Sequence, residues 1–160
     1  MVVGPGIDLG SVTDVAATGL DLLPTFAELA GFSEDLPKEI DGGSLVPLLT
    51  DRDVREVQRN SDYLIFHQAS HRKPRSAIRK GDYKLVKYWV KESKYKNTPK
   101  IELFDLATDL KETTDLSEKF PEIVEELEKE LITFLDQVNA ETGERNIDGA
   151  FYRLKEDLGE

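Results

Sequence analysis

The sequence predicts an α+β fold: a small antiparallel sheet of about four strands packed by a long C-terminal helix, with short helices ahead of it. Three observations carry this reading. Apolar residues recur at helical spacing between residues 22 and 30 and again between 120 and 138. From about residue 61 to 106 the period changes to two, with turn residues between short runs. The chain of 160 residues is 39% hydrophobic and 33% charged, which is polar for a globular protein but still furnishes a core.

Each element has a local reason. Residues 1–13 read as a strand end and turn, punctuated by Gly4-Pro5-Gly6. A short helix follows, with Asp21 as its cap and Pro24 tolerated in the first turn. Leu22, Leu23, Phe26, Leu29 and Ala30 form its apolar face, and Gly31 ends it. After a loop with the turn Asp41-Gly42-Gly43, Ser44 caps one or two turns through Leu45, Val46, Leu48 and Leu49. Strands are expected at 63–66, 76–79, 83–89 and 101–106, with Lys80-Gly81-Asp82 as a tight hairpin between the second and third. In the third strand Tyr83, Leu85, Lys87 and Trp89 alternate with Lys84, Val86 and Tyr88, which leaves one face wet. Residues 90–100 form a lysine-rich loop. Phe120 to Val138 is the long helix, opened by Pro121, with acids at its positive end and a stripe through Leu127, Leu131 and Leu135. Residues 144–160 read as an acidic tail or weak final helix.

Composition narrows the chemistry. The absence of cysteine excludes disulfides, thiolate metal sites and cysteine nucleophiles. No apolar run approaches the roughly 18 residues of a membrane span, so no membrane crossing is expected. The start, Met1-Val2-Val3-Gly4-Pro5-Gly6, has neither the charged nor the apolar region of a secretory signal. The net charge of −11 is uneven: residues 67–100 hold eleven Lys and Arg against Asp82 and Glu92, and the other residues hold ten against thirty acids. Such a basic strip is an anion site, a surface matching an acidic one, or solvated strands. The acidic remainder argues against nucleic acid as a partner.

No phosphate-cradling glycine loop and no nucleophile elbow is present. Asp105 and Asp109 bracket a turn and lack the central glycine and terminal acid of a calcium loop. The dense cluster of polar, protonatable side chains is His67-Gln68-Ala69-Ser70-His71-Arg72-Lys73-Pro74-Arg75, read as a loop between two strands. His67, His71, Arg72 and Arg75 are the candidate binding residues, as partners of an anionic group. A plain solvated loop is the competing reading, and a two-histidine metal site is disfavoured.

Several motifs, in order, resemble the distal half of a type I sulfatase: Gly4-Pro5-Gly6-Ile7, then Thr18-Gly19-Leu20-Asp21-Leu22-Leu23-Pro24-Thr25-Phe26, then Asp41-Gly42-Gly43-Ser44-Leu45 with Pro47-Leu48-Leu49. Arg75 to Leu85 is similar to that family's hairpin, and Glu102-Leu103-Phe104-Asp105-Leu106 to its "E-L-Y-D-L" strand. Asp109, Glu112 and Asp115-Leu116 follow its next turn, with Leu110 where Pro is common and Asp115 where Asn is common.

The resemblance implies a formylglycine-dependent sulfuric ester hydrolase of the alkaline-phosphatase-like superfamily, often periplasmic or secreted. Its nucleophile comes from a Cys/Ser-x-Pro-x-Arg motif, and its calcium or magnesium ion sits in a large N-terminal α/β domain. Neither is expected here, since the chain has no Cys and no Ser that begins such a motif. No catalytic, metal or cofactor-binding residue is therefore assigned. Residues 1–58 are expected to be a distal, helical remnant of the α/β domain, 59–142 the C-terminal subdomain whose loops help shape the substrate pocket, and 143–160 an acidic tail. The ligand implied is a sulfated carbohydrate. Residues 14–49 hold more apolar side chains than should stay wet, so self-association or docking to the missing N-terminal domain is expected through them. The alternative function is a non-catalytic binding or interaction module for a sulfated carbohydrate or a protein.

Overall fold

The computed structural model describes residues 2–7, 10–32, 36–69, 74–89 and 100–142. His71, Arg72, most of the lysine-rich loop and the acidic tail lie outside the described residues. The chain divides into two compact units, one running to Asp62 and the other starting at Tyr63.

The first unit is organised around one carboxylate. Thr18 opens a 3-10 turn, Gly19–Asp21, in a reciprocal capping box, and helix α1, Leu22–Leu29, continues directly from it. Asp21 does not cap α1 with its side chain, contrary to the sequence expectation. Its backbone is already helical and its carboxylate is taken elsewhere. Oδ2 accepts the Thr18 N–H at 2.6 Å and Oδ1 accepts the Gly43 N–H at 3.0 Å. Arg59 donates to both oxygens at 2.8 Å and also to the Ala16 carbonyl at 2.9 Å. Asp21 is fully buried and Arg59 is 9% exposed. Two glycines permit this closeness. A Cβ on Gly42 would lie 2.0 Å from the Leu20 carbonyl oxygen, and one on Gly43 would lie 2.1 Å from that of Gln58. Helix α2, Val46–Thr50, has Leu45 rather than the expected Ser44 at its N-cap, and Ser44 Oγ accepts the Val46 N–H at 3.1 Å just ahead of it.

Gly31 ends α1 at φ 79°. The expected apolar face of α1 is open: Leu22, Leu23, Phe26 and Leu29 are 47–67% exposed, while Pro24 and Thr25 are buried.

Burial alone would raise the Asp21 pKa, but hydrogen bonds from Arg59, Gly43 and Thr18, and the Arg59 charge, hold it below the usual 3.8. A folded-state pKa below the unfolded one contributes stability above pH ~4 that is lost as pH falls through the folded value. Acid titration should therefore expose the Gly43 and Thr18 amides to exchange only below pH ~4. Loss of their protection already at pH 5–6 would contradict this.

The second unit is a meander. Strands β1 (Tyr63–Gln68), β2 (Arg75–Lys80), β3 (Tyr83–Tyr88) and β4 (Ile101–Asp105) pair antiparallel in chain order. Lys80 pairs with Tyr83, so Gly81 and Asp82 form a two-residue turn, and Gly81 supplies the positive φ of 57°. Helix α3, Pro121–Gln137, covers one face. Leu127, Leu131 and Leu135 pack there with Ile78, Leu85, Trp89 and Leu103 in the main core. Tyr63–Phe134 and Tyr83–Phe120 meet edge to face at 6.2 Å at its margins.

The charge asymmetry has a structural outlet. Lys80 reaches Glu130 at 2.6 Å and Glu126 at 3.4 Å, and Lys87 reaches Glu128 at 2.8 Å, so the acidic helix lies on basic strands. On the opposite face Lys84 meets Glu112 at 2.7 Å. These three lysines match an acidic surface of their own chain. That opposite face is also not simply wet: Ala77, Val86, Phe104 and Leu106 are buried in a second small cluster.

Candidate functional site

His67 and Arg75 lie on β1 and β2, not in a loop as the polar run suggested. Ladder bonding continues two residues beyond Phe66 and begins one before Ser76, because strand pairing satisfies those backbone groups whatever the side chains are. The register then separates the two residues by face. His67 stands opposite Ser76 and Gln68 opposite Arg75, so successive side chains alternate between the α3 side and the open side.

The His67 ring is engaged at both nitrogens. Nε2 lies 2.8 Å from the Glu141 carbonyl oxygen, which only accepts, so Nε2 carries the hydrogen. Nδ1 lies 2.7 Å from Ser76 Oγ, which also accepts the Trp89 Nε1–H at 2.7 Å. Ser76 is fully buried, so this serine–histidine contact ties strands together and offers no accessible nucleophile.

The open face carries a hollow of about 500 Å³. Its floor is Ala77 and Val86, directly paired small residues on the two central strands, with Phe104 beside them. Phe66, half exposed, forms one wall. Gln68, Arg75 and Tyr88 stand above the floor, His67 borders it at the end of β1, and Lys84, Glu102 and Glu112 complete the rim. Tyr88 Oη donates to Glu102 Oε2 at 2.7 Å. Burial, then the hydrogen bond and charge of Glu102, push the Tyr88 hydroxyl up to about 12, with the Arg75 guanidinium pulling the other way. Tyr88 is thus a neutral donor across the physiological range. The chain position of Tyr88 and Glu102 carries no mark of this contact, which depends on the register of β3 against β4.

The acids after β4 work as turn caps. Asp105 accepts from the Ala107 N–H and the Thr108 hydroxyl, each at 3.0 Å. Asp109 accepts the Thr113 and Thr114 N–H groups at 2.7 and 2.8 Å. The Thr114 bond leads the contacts that hold the Asp109 carboxyl below its usual range. These hydrogen bonds close the two turns that follow β4. Among the described residues no group of three or more His, Asp or Glu is placed to hold a metal ion.

Residues 2–139 match the model of the family described as N-sulphoglucosamine sulphohydrolase, C-terminal. The chain belongs to this family. Among curated relatives, arylsulfatase K of Xenopus laevis is 30% identical over 140 residues, covering 85% of this chain and 25% of that protein. Arylsulfatase K of Homo sapiens is 26% identical over 167 residues, covering 100% of this chain and 30% of that protein. The chain therefore spans between a quarter and a third of the length of these relatives.

Solved structures agree with this chain in fold. BT4656, in complex with its substrate D-glucosamine-2-N,6-O-disulfate, superposes with a TM-score of 0.57 at 21% identity, over 79% of this chain and 25% of that one. Ps i-CgsB, in complex with k-i-k-neocarrahexaose, does so with a TM-score of 0.54 at 24% identity, over 84% and 28%. The resemblance to a C-terminal sulfatase part and the α+β expectation both hold.

Proposed function

We propose that the chain serves as the C-terminal part of a sulfatase and helps shape the pocket for a sulfated carbohydrate, without supplying nucleophile or metal. The family match over residues 2–139 carries this reading. In it, residues 1–58 complete the large α/β domain and 59–142 form the subdomain beside the pocket. Arg75, exposed at the start of β2, offers a planar donor fork to a sulfate oxygen, and His71 and Arg72 precede it closely in the sequence. His67 holds the end of β1, through Ser76 and the Glu141 carbonyl.

The purified 160-residue chain should bind D-glucosamine-2-N,6-O-disulfate weakly, moving the Gln68 and Arg75 amide signals, and should lose that binding in high salt. It should hydrolyse no aryl sulfate, because donor groups alone do not replace an attacking hydroxyl. Shifts confined to other residues would remove Arg75 from the site, and turnover above a denatured control would refute the non-catalytic part.

The open apolar face of α1 supports docking to the sulfatase N-terminal domain or, without it, self-association through residues 14–49. Sedimentation of the 160-residue chain should show concentration-dependent association that Phe26→Ser with Leu29→Ser reduces. A strict monomer would count against this face.

A further inference from the structure

We infer that the hollow on the open face of the sheet is a binding site for an uncharged sugar ring. The hollow's own chemistry carries this independently of the sulfatase reading: Gln68 and Arg75, at its rim, are shared with the sulfate contact proposed above, but the ring would rest on Phe66, Ala77 and Val86. Ala77 and Val86 are paired directly, so two short side chains lie side by side where the neighbouring rungs of the ladder carry long ones. The resulting volume of about 500 Å³ lies within the range of small-molecule sites. One wall, Phe66, is 51% exposed and presents a flat apolar surface to which the C–H face of a pyranose is complementary.

The polar groups decide the charge of the ligand. Lys84 is already held by Glu112 at 2.7 Å, and Glu102 by the Tyr88 hydroxyl at 2.7 Å. With Arg75 and Lys84 set against Glu102 and Glu112, the rim carries no excess of either sign. An anion entering it meets two carboxylates, and a cation meets an ammonium and a guanidinium. A wholly apolar ligand would strip water from all four without replacing a hydrogen bond. Vicinal hydroxyls, each both donor and acceptor, suit carboxylates, an amide (Gln68) and an ammonium together. An extended peptide binds a sheet through its edge hydrogen bonds, which this face does not offer.

The test is a titration of the isotope-labelled 160-residue chain with cellobiose, followed by amide signals. Shifts are expected at Phe66, Ala77, Val86 and Tyr88, with an affinity that changes less than about twofold between low and high salt. Phe66→Ala should weaken binding roughly tenfold, the scale of one lost aromatic contact. Val86→Phe should fill the hollow and abolish binding. Where that variant fails to fold, Phe66→Ala, on an exposed position, decides. Absence of the four shifts up to the solubility of the sugar would overturn the proposal. So would tighter binding of glucose 6-sulfate than of cellobiose at these amides, which would make the hollow an anion site. Either failure leaves the Gln68 and Arg75 response to the disulfated glucosamine as a separate result.

Discussion

Leu131→Ala is expected to destabilise the sheet-and-helix unit by about 2–5 kcal/mol, the range for truncating a fully buried leucine. Leu131 is 0% exposed and sits in the core with Leu85, Leu103 and Trp89. Trp89 is the only tryptophan, so its fluorescence during urea unfolding reports on the unit being perturbed. The contrast is Glu125→Ala, on the exposed side of the same helix, with an expected effect within about 0.5 kcal/mol. Glu128 is a poorer contrast than its sequence position suggests, because it holds Lys87 at 2.8 Å between partly buried side chains. Similar midpoints for the Leu131 and Glu125 variants would show that the stripe is not the docking face.

The second large effect is expected at Asp21→Ala, about 3–5 kcal/mol in the first unit, the range for leaving one member of a buried ion pair unpaired. The variant removes acceptors from Arg59, Gly43 and Thr18 together, and Arg59 has little water to turn to. Asp21→Asn keeps one acceptor oxygen and should fall between the wild type and Asp21→Ala. Hydrogen exchange at Thr18, Gly43 and Leu45 measures both, since these amides belong to the same knot. Unchanged protection in Asp21→Ala would mean that the helix and the glycine turn are held by other contacts.

The elements that sequence reasoning recovers are those set by neighbours in the chain. The hairpin follows from Lys80-Gly81-Asp82, and α3 from Pro121, its glutamates and its leucine spacing. What escaped depends on partners far away in sequence. Asp21 has the look of a helix cap, and nothing local announces an arginine 38 residues later. His67 and Arg75 belong to one polar run, yet a period of two combined with cross-strand pairing sends them to opposite faces. The hollow is invisible in the sequence for the same reason. Ala77 and Val86 are ordinary strand residues until register sets them side by side.

The strict chain-order pairing of the sheet also governs how the molecule is made. The β2–β3 hairpin closes over two residues, a contact that forms on a scale of about 1–10 μs, and β1 and β4 can add from either side without waiting for distant segments. On a ribosome, the residues of all four strands emerge before those of the helix that covers them. Between the emergence of Asp105 and that of Leu135, a sheet formed by the four strands would leave Ile78, Leu85 and Leu103 without their cover, the interval in which it is most prone to aggregate. The acidic helix then arrives over strands bearing Lys80 and Lys87, and opposite charge guides it to the face that needs closing.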